Sequence, residues 1–234
     1  LLASQQLQIP VAKKPVVAII PTGNELIEAN SELSSGKIIE FNGTVFANFI
    51  KDWGGEPRLR RIVKDDPENI KSVLLEAAQD SDIIVINAGS SAGSKDYTVH
   101  IIGEIGTVFT HGVAARPGKP VILGTINDKI VVGVPGYPVS AYLALEWFVR
   151  PLICKYLQIP EPKRQTVTVK LGRRIVSGMG AEDFVRMNIG YVNGQFVANP
   201  LTRAAGVTMS YVRADGLLVV PANIIGYEQG EFAE

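Results

Sequence analysis

The stretch that decides the fold runs from Ile83 to Thr98 and reads I-I-V-I-N-A-G-S-S-A-G-S-K-D-Y-T. Its first four residues are branched and apolar, a run too short for an independent helix and typical of a strand buried on both faces. A loop of small residues follows, and Asp96 begins a segment that can be helical to about Glu104. Such a loop can present backbone N–H groups to a phosphate or another oxyanion. It is equally compatible with an ordinary tight turn whose serines cap the helix.

Three further loops of similar composition follow predicted strands. The loop 21–26 follows a buried strand at 16–20, 116–120 follows a ragged strand at 106–115, and 135–140 follows a strand at 130–134. Because the carboxyl ends of parallel strands meet at one edge of a sheet, the convergence of four such loops favours an anionic, phosphate-bearing ligand. Taken singly, two of these loops have an ordinary explanation: Glu25 as a surface carboxylate, and the cations of 116–120 as a solvated basic turn.

Strands alternate with helices up to about residue 158, which predicts an α/β domain over residues 15–159. We expect three layers, with a mostly parallel sheet between helices on both faces. Residues 1–14 are predicted to be a linker. Expected local features include a helix over Asn42 to Trp53 with Asn42 as its N-cap, a strand at 59–63, and a helix that begins at Asp66-Pro67.

After a proline-containing linker the pattern changes to short alternating strands, with Asn193-Gly194 as a hairpin turn. Residues 163–234 are therefore predicted to form a small all-β, barrel-like domain. Arg186 falls within one of these strands, and its default interpretation is a surface strand residue.

Composition narrows the function classes. The 234 residues carry 23 basic and 23 acidic side chains, and this neutral balance argues against general nucleic-acid binding. No apolar run approaches the roughly 18 residues of a membrane span. The single cysteine, Cys154, fits a reducing compartment. We expect a cytoplasmic protein without a membrane or nucleic-acid partner, and an apolar first residue in place of Met suggests a fragment of a longer chain.

Seven segments occur in the order found in one known family, and together they span nearly the whole chain from Val16. They are P-T-G-N-E-L (21–26), K-D-D-P (64–67), G-S-S-A-G-S-K-D-Y-T (89–98), R-P-G-K-P (116–120), P-G-Y-P-V-S-A (135–141), D-F-V-R (183–186) and A-D-G-L-L-V-V-P (214–221). The chain resembles the C-terminal half of the MoeA-type molybdopterin molybdotransferases, the molybdenum insertases related to the gephyrin E domain. The β domain distinguishes this type from the simpler MogA and MoaB relatives.

The resemblance implies an enzymatic activity in molybdenum cofactor biosynthesis. The substrates would be molybdate and adenylylated molybdopterin, and molybdenum would enter the dithiolene with release of AMP. A divalent cation, Mg²⁺ or another, would assist. The resemblance also implies a homodimer and an upstream molybdopterin adenylyltransferase as a partner.

The resemblance assigns roles to individual residues. Asp96 and Glu25 would be catalytic and would hold the metal. Molybdopterin or its phosphate would contact Thr22, Gly23, Gly89, Ser90, Ser91, Gly93, Tyr97, Pro135 and Gly136. Molybdate would contact Arg116, Lys119, Ser140, Arg186 and Ser210.

Some positions depart from the family's pattern. Ala88-Gly89 stands for Gly-Gly, Glu40-Phe41-Asn42 for Asp-Thr-Asn, Tyr137 for Asn, Asn24 for Asp, and Arg116 for Lys. These departures favour the alternative of a divergent molybdopterin- or molybdate-sensing module without turnover. A scaffold protein, as gephyrin is for receptors, is a third hypothesis.

Overall fold

The computed structural model describes residue 8, residues 10–88 and residues 97–234. The first part of the chain forms an α/β unit with helices on both faces of one sheet. Its elements are β1 (Val16–Pro21), β2 (Leu26–Ile27), β3 (Ile38–Ile39), α1 (Asn42–Asp52), β4 (Glu56–Leu59), α2 (Pro67–Asp80), β5 (Ile83–Ala88), α3 (Tyr97–Ile105), β6 (Thr107–His111), β7 (Ala115–Arg116), β8 (Ile122–Ile126), β9 (Lys129–Pro135), α4 (Pro138–Ala144) and α5 (Arg150–Leu157).

The main sheet has the strand order β4-β1-β5-β9-β8-β6. Strands β4, β1, β5 and β9 are parallel, whereas β8 pairs antiparallel with both β9 and β6. The predicted mostly parallel sheet is therefore confirmed. Its parallel centre brings the carboxyl ends of β1, β5 and β9 to one edge, with Pro21 opposite Asn87 and Ala88 opposite Pro135.

The strand at 83–86 is buried on both faces, as its sequence predicts. Ile83 and Val85 belong to one apolar cluster with residues of α1 and α4, including Phe46. Ile84 and Ile86 belong to a second cluster with residues of α2 and α3, including Leu74. Burying a branched side chain of this kind contributes about 1.5–3 kcal/mol to the stability of the fold. A shift of the strand by one residue would exchange the two sets, so the clusters determine which side chains face each helical layer.

Two local expectations in the first half are wrong. The strand predicted at 59–63 lies earlier, at Glu56–Leu59, because β4 pairs with β1 from Val16 onward. Asn42 is the first helical residue of α1 rather than its N-cap. The capping bond comes from Glu40, whose Oε1 accepts from the Gly43 N–H at 2.7 Å. By contrast, Asp66 caps α2 as predicted and accepts from Asn69 N–H at 3.0 Å.

A π-helical turn, Leu145–Val149, joins α4 to α5. Pro151 follows in the first turn of α5. A proline lacks the N–H that would continue the hydrogen-bond ladder, and its ring crowds the carbonyl four residues earlier. The wider turn before Pro151 accommodates both effects, so the helix predicted from Val139 to about Tyr156 continues through the proline in altered form.

The second part of the chain is largely β-structure. Its elements are β10 (Val169–Leu171), β11 (Ile175–Val176), β12 (Glu182–Val192), β13 (Gln195–Pro200), α6 (Thr208–Val212), β14 (Gly216–Val220), β15 (Gly226–Tyr227) and β16 (Phe232–Ala233). The sheet order is β14-β12-β13-β10-β16, and β11 pairs with β15. The predicted hairpin turn at Asn193-Gly194 is confirmed, with both residues at positive φ. The exact limits of the linker and the two domains stay predictions.

One short strand joins the two parts. β7 pairs in parallel with the start of β12, with Ala115 opposite Glu182 and Arg116 opposite Asp183. Beside this ladder, the ring centroids of Phe184 and Trp147 are 4.5 Å apart. Residues from distant parts of the sequence thus meet beside the loop that follows β7. Among the helices of the described residues, none has the length and apolar character needed to cross a membrane.

Candidate functional site

A cavity of about 570 Å³ lies at the carboxyl ends of β1, β5 and β9, and we name it the strand-end cavity. Parallel sheets place ligands at this edge because the loops there diverge and leave a crevice. Its walls are formed by Thr22, Glu25, Leu26, Ile38, Ile39, Glu40, Phe41, Asn42, Asp65, Asn87, Gly136, Tyr137, Pro138 and Gly206. Of the predicted site residues, Thr22, Glu25 and Gly136 therefore come together here.

Two buried amides in this wall were not predicted as site residues. Asn42 donates from Nδ2 to the Gly136 carbonyl at 3.0 Å. The backbone carbonyl of Asn87 accepts a hydrogen bond from the Thr22 hydroxyl, also at 3.0 Å. Within the described residues, the side-chain Oδ1 atoms of Asn42 and Asn87 have no hydrogen-bond partner. A buried acceptor left unpaired costs about 1–3 kcal/mol. A ligand that brings N–H donors would remove this cost.

Three carboxylates line the same cavity, those of Glu25, Glu40 and Asp65. Glu25 folds back over Gly23, so that a Cβ added to Gly23 would lie 2.8 Å from Glu25 Oε1. Asp65 exchanges two long hydrogen bonds with Asn24, at 3.4 and 3.3 Å. Desolvation raises the pKa of Asp65, and the charge of Glu25 raises it further. These two carboxylates therefore repel each other, a repulsion that a cation would relieve.

A second cavity, of about 440 Å³, contains three arginines, and we name it the arginine cavity. Arg186 is its most buried wall residue, with 1% of its surface exposed. Its Nη2 donates to the carbonyls of Thr202 at 2.7 Å and Ala204 at 3.4 Å. In the part of the chain that the structure describes, Nε and Nη1 of Arg186 have no partner. The default interpretation of Arg186 as a surface strand residue is therefore wrong, because the loop 201–207 covers it.

Arg116 and Arg203 complete the basic wall. Arg116 donates to the Met179 carbonyl at 3.3 Å and lies so close to Gly178 that an added methyl group would collide with Nη1. Arg203 forms an ion pair with the buried carboxylate of Asp183. Desolvation lowers the pKa of Arg186. An anion in this cavity would restore the solvation that these guanidinium groups lack.

The loop 201–207 connects the two cavities. Arg203 belongs to the wall of the arginine cavity, and Gly206 belongs to the wall of the strand-end cavity. Between them, the Ala205 carbonyl accepts from the Val139 N–H at 3.1 Å, which fixes the loop to the start of α4. Ligands in the two cavities would therefore be neighbours across one short loop.

Other predicted site residues lie outside these walls. Lys119 is exposed, with its carbonyl accepting from Val113 N–H at 2.8 Å. Ser140 is buried in the first turn of α4, and the buried Ser210 donates from Oγ to the Val207 carbonyl at 2.6 Å. Tyr97 packs against the cluster between α2 and the sheet.

Gly23 lies shortly after β1, and Gly136 directly follows β9. Gly23 is buried and donates to the Val63 carbonyl at 3.0 Å, and the buried Pro135 precedes Gly136. The remaining predicted residues lie outside the described part of the chain: Gly89, Ser90, Ser91, Gly93 and Asp96.

A larger cavity, of about 660 Å³, lies against β6, β8, β9 and α5. Its walls are apolar apart from Lys155 and Glu161. It is remote from the carboxyl ends of the parallel strands, so we do not assign the chemistry to it.

The close fit between Gly178 and Arg116 gives a test of the arginine cavity. Gly178→Ala should displace the Arg116 guanidinium and weaken binding of sulfate, used as a tetrahedral probe, about tenfold, since one charge-assisted hydrogen bond contributes about 1.5–3 kcal/mol. Isothermal titration calorimetry measures the affinity. Gly190→Ala is the matched control, because a Cβ there meets nothing within 4 Å. Equal sulfate affinity in the two variants would contradict the placement of Arg116 in an anion site.

The partly buried Glu40 carboxylate gives a second test. Desolvation raises its pKa above the ordinary value of 4.5, so the folded chain holds this proton to higher pH than the unfolded chain. Ionisation of Glu40 therefore destabilises the fold as pH rises through and above this interval. Glu40→Gln should raise Tm at pH 7, and the gain should shrink as the pH falls to about 4.

Thermal unfolding followed by circular dichroism measures this difference. Glu76→Gln, on the exposed face of α2, should leave Tm unchanged across the same range. If Glu40→Gln raised Tm by the same amount at every pH, the charge of the Glu40 carboxylate would not be the cause of the increase.

The comparisons with known proteins agree with this architecture. Residues 18–155 match the model of a probable molybdopterin binding domain, and residues 168–234 match that of the MoeA C-terminal region, domain IV. A putative molybdopterin biosynthesis protein of Methanocaldococcus jannaschii is 34% identical over 92% of the chain and 53% of its own length. The molybdopterin molybdenumtransferase of Bacillus subtilis is 30% identical over 95% of the chain and 52% of its own length.

A solved structure extends the agreement to three dimensions. The molybdopterin biosynthesis MoeA protein of Pyrococcus horikoshii superposes with a TM-score of 0.80 at 33% identity, over 94% of this chain and 53% of that one. The chain thus spans about half the length of the relatives it matches. Both of its parts match the corresponding regions in order, and the chain belongs to the family of MoeA-type molybdopterin biosynthesis proteins.

Proposed function

We propose that this chain carries the molybdenum-insertion centre of a molybdopterin molybdotransferase. Adenylylated molybdopterin and molybdate would be the substrates, and the molybdenum cofactor and AMP the products. One observation carries the proposal: a cavity with unpaired amide oxygens and carboxylates adjoins a cavity with a buried, incompletely paired arginine. The loop 201–207 contributes to the walls of both cavities, so it would lie between the organic ligand and the oxyanion.

The strand-end cavity suits the pterin and its phosphates. A pterin ring offers N–H donors, and the unpaired Oδ1 atoms of Asn42 and Asn87 are acceptors without partners among the described residues. Thr22 and Gly136 line this cavity at strand ends, and Gly23 follows Thr22, so a phosphate could approach the backbone there. The N–H groups of Thr22 and Gly23 themselves donate to the carbonyls of Asn87 and Val63. The resemblance adds Gly89, Ser90, Ser91, Gly93, Tyr97 and Pro135 to this proposed set.

The arginine cavity suits molybdate, which is a tetrahedral dianion. Planar guanidinium groups bind such oxyanions through paired hydrogen bonds. Arg186 supplies two unused donors from a rigid, buried position, and Arg116 lies in the same wall. Lys119, Ser140 and Ser210 remain part of the proposed molybdate site on the strength of the resemblance.

The divalent cation would be held by Glu25 and, on the strength of the resemblance, by Asp96. Asp65 lies in the same cavity wall as Glu25. Among the side chains at 10–88 and 97–234, no three of the types His, Cys, Asp or Glu converge as a metal site. Mg²⁺ commonly takes only one or two carboxylates together with substrate phosphates and water, which fits the repelling pair Glu25 and Asp65. Bound there, the cation would neutralise phosphate charge.

The assembly and cellular setting follow from the same proposal. We propose a homodimer that works in the cytoplasm and receives adenylylated molybdopterin from a molybdopterin adenylyltransferase. The neutral charge and the single cysteine of the chain are compatible with this setting.

Release of AMP tests the proposed reaction directly. With adenylylated molybdopterin, molybdate and Mg²⁺, the full-length protein that carries this chain should release AMP, and Glu25→Gln and Asp96→Asn should each lower the rate about 100-fold, the usual effect of removing a preorganised charge. Liquid chromatography quantifies the AMP. Asp128→Asn, in the β8–β9 turn, is a matched control and should react at the wild-type rate.

Two outcomes would contradict the proposal. Undiminished release by Glu25→Gln and Asp96→Asn would remove these carboxylates from the reaction. Tight binding of adenylylated molybdopterin by the full-length protein without any release of AMP would favour a sensing module.

A further inference from the structure

Arg203 lies in the wall of the arginine cavity but makes its hydrogen bonds elsewhere. Its Nη2 pairs with the Asp183 carboxylate, and its Nη1 donates to the Val176 carbonyl. Asp183 is buried, and its Oδ2 also accepts from the Ser177 hydroxyl at 2.9 Å. Both terminal nitrogens of Arg203 are thus anchored, so its position is fixed and its contribution to a ligand in the cavity is its charge.

The charges of the cavity wall do not cancel. The wall contains three guanidinium groups, those of Arg116, Arg186 and Arg203, and one carboxylate, that of Asp183. Three positive charges less one negative charge leave a formal charge of two. Without Arg203, the same wall would hold two positive charges and one negative charge, and the remainder would be one.

These cations are close enough to influence each other. Desolvation lowers the pKa of Arg203, and the positive charge of Arg116 lowers it further. A cavity with mutually repelling cations, one of them buried and incompletely paired, favours an anion whose charge matches the excess.

We propose that Arg203, held by Asp183, is a specificity-determining residue that makes the arginine cavity prefer doubly charged over singly charged tetrahedral oxyanions. The inference rests on the proposed function, because it takes molybdate as the occupant of the cavity. It adds the means by which the site distinguishes molybdate from anions of the same shape and lower charge.

Perrhenate is the matching probe, since it is tetrahedral like molybdate but carries a single charge. Wild-type chain should bind molybdate more tightly than perrhenate in calorimetric titrations in a chloride buffer at low salt. Arg203→Gln should lower molybdate affinity about tenfold and perrhenate affinity about threefold, because the Coulomb energy scales with the product of the charges. The preference for molybdate should therefore fall about threefold.

Two further variants separate charge from structure. Arg203→Lys keeps the charge but loses the paired hydrogen bonds, and it should retain the wild-type preference. Arg174→Gln removes an exposed arginine that pairs with Glu228 and is not part of the cavity wall, and it should change neither affinity. Unfolding temperatures of all variants show whether each one folds.

The outcomes separate this inference from the proposed function. If wild type binds both anions and Arg203→Gln weakens both by the same factor or neither, the role of Arg203 is overturned and the cavity remains an oxyanion site. If wild type binds neither anion, the molybdate assignment of the cavity fails and this inference with it.

Discussion

The pairing of β7 with β12 is the constraint on which the site depends. It places Arg116 opposite Asp183 and fixes the β domain against the loop after β7. Without this ladder, Arg116 would belong to a basic turn of the α/β domain, while Arg186 and Arg203 would belong to a separate sheet. This ladder has only two residues on each strand, yet it brings Arg116, Arg186 and Arg203 together in the wall of one cavity.

Both cavities hold polar groups whose burial is unfavourable in the free chain. Arg186 retains two unpaired donors, and Asn42 and Asn87 each retain an unpaired acceptor, within the described residues. Each such group costs about 1–3 kcal/mol, which the rigid sheet and its two apolar clusters offset. A ligand of complementary chemistry recovers this cost on binding. The donors are in one cavity and the acceptors in the other, which matches an oxyanion beside a heterocycle with N–H groups.

Local sequence patterns predicted the elements that local forces determine. The branched run at 83–86, the Asp66 cap and the Asn193-Gly194 turn formed as expected, since each depends on neighbours in sequence. The burial of Arg186 could not be predicted in this way. The alternation of polar and apolar residues around Arg186 indicates only which face of the strand it lies on. The loop 201–207 covers its side chain, and the path of that loop depends on its contact with α4. Asn87 and Arg203 were missed for the same reason, because their roles arise from tertiary placement.

The most direct measurement is the position of molybdenum in crystals of this chain grown with molybdate, located by anomalous diffraction at the molybdenum edge. The structure predicts one strong peak in the arginine cavity, with oxyanion oxygens about 2.7–3.2 Å from Nε and Nη1 of Arg186. A peak only at other positions, with both Arg186 nitrogens bound to water, would contradict the assignment of this cavity to the oxyanion.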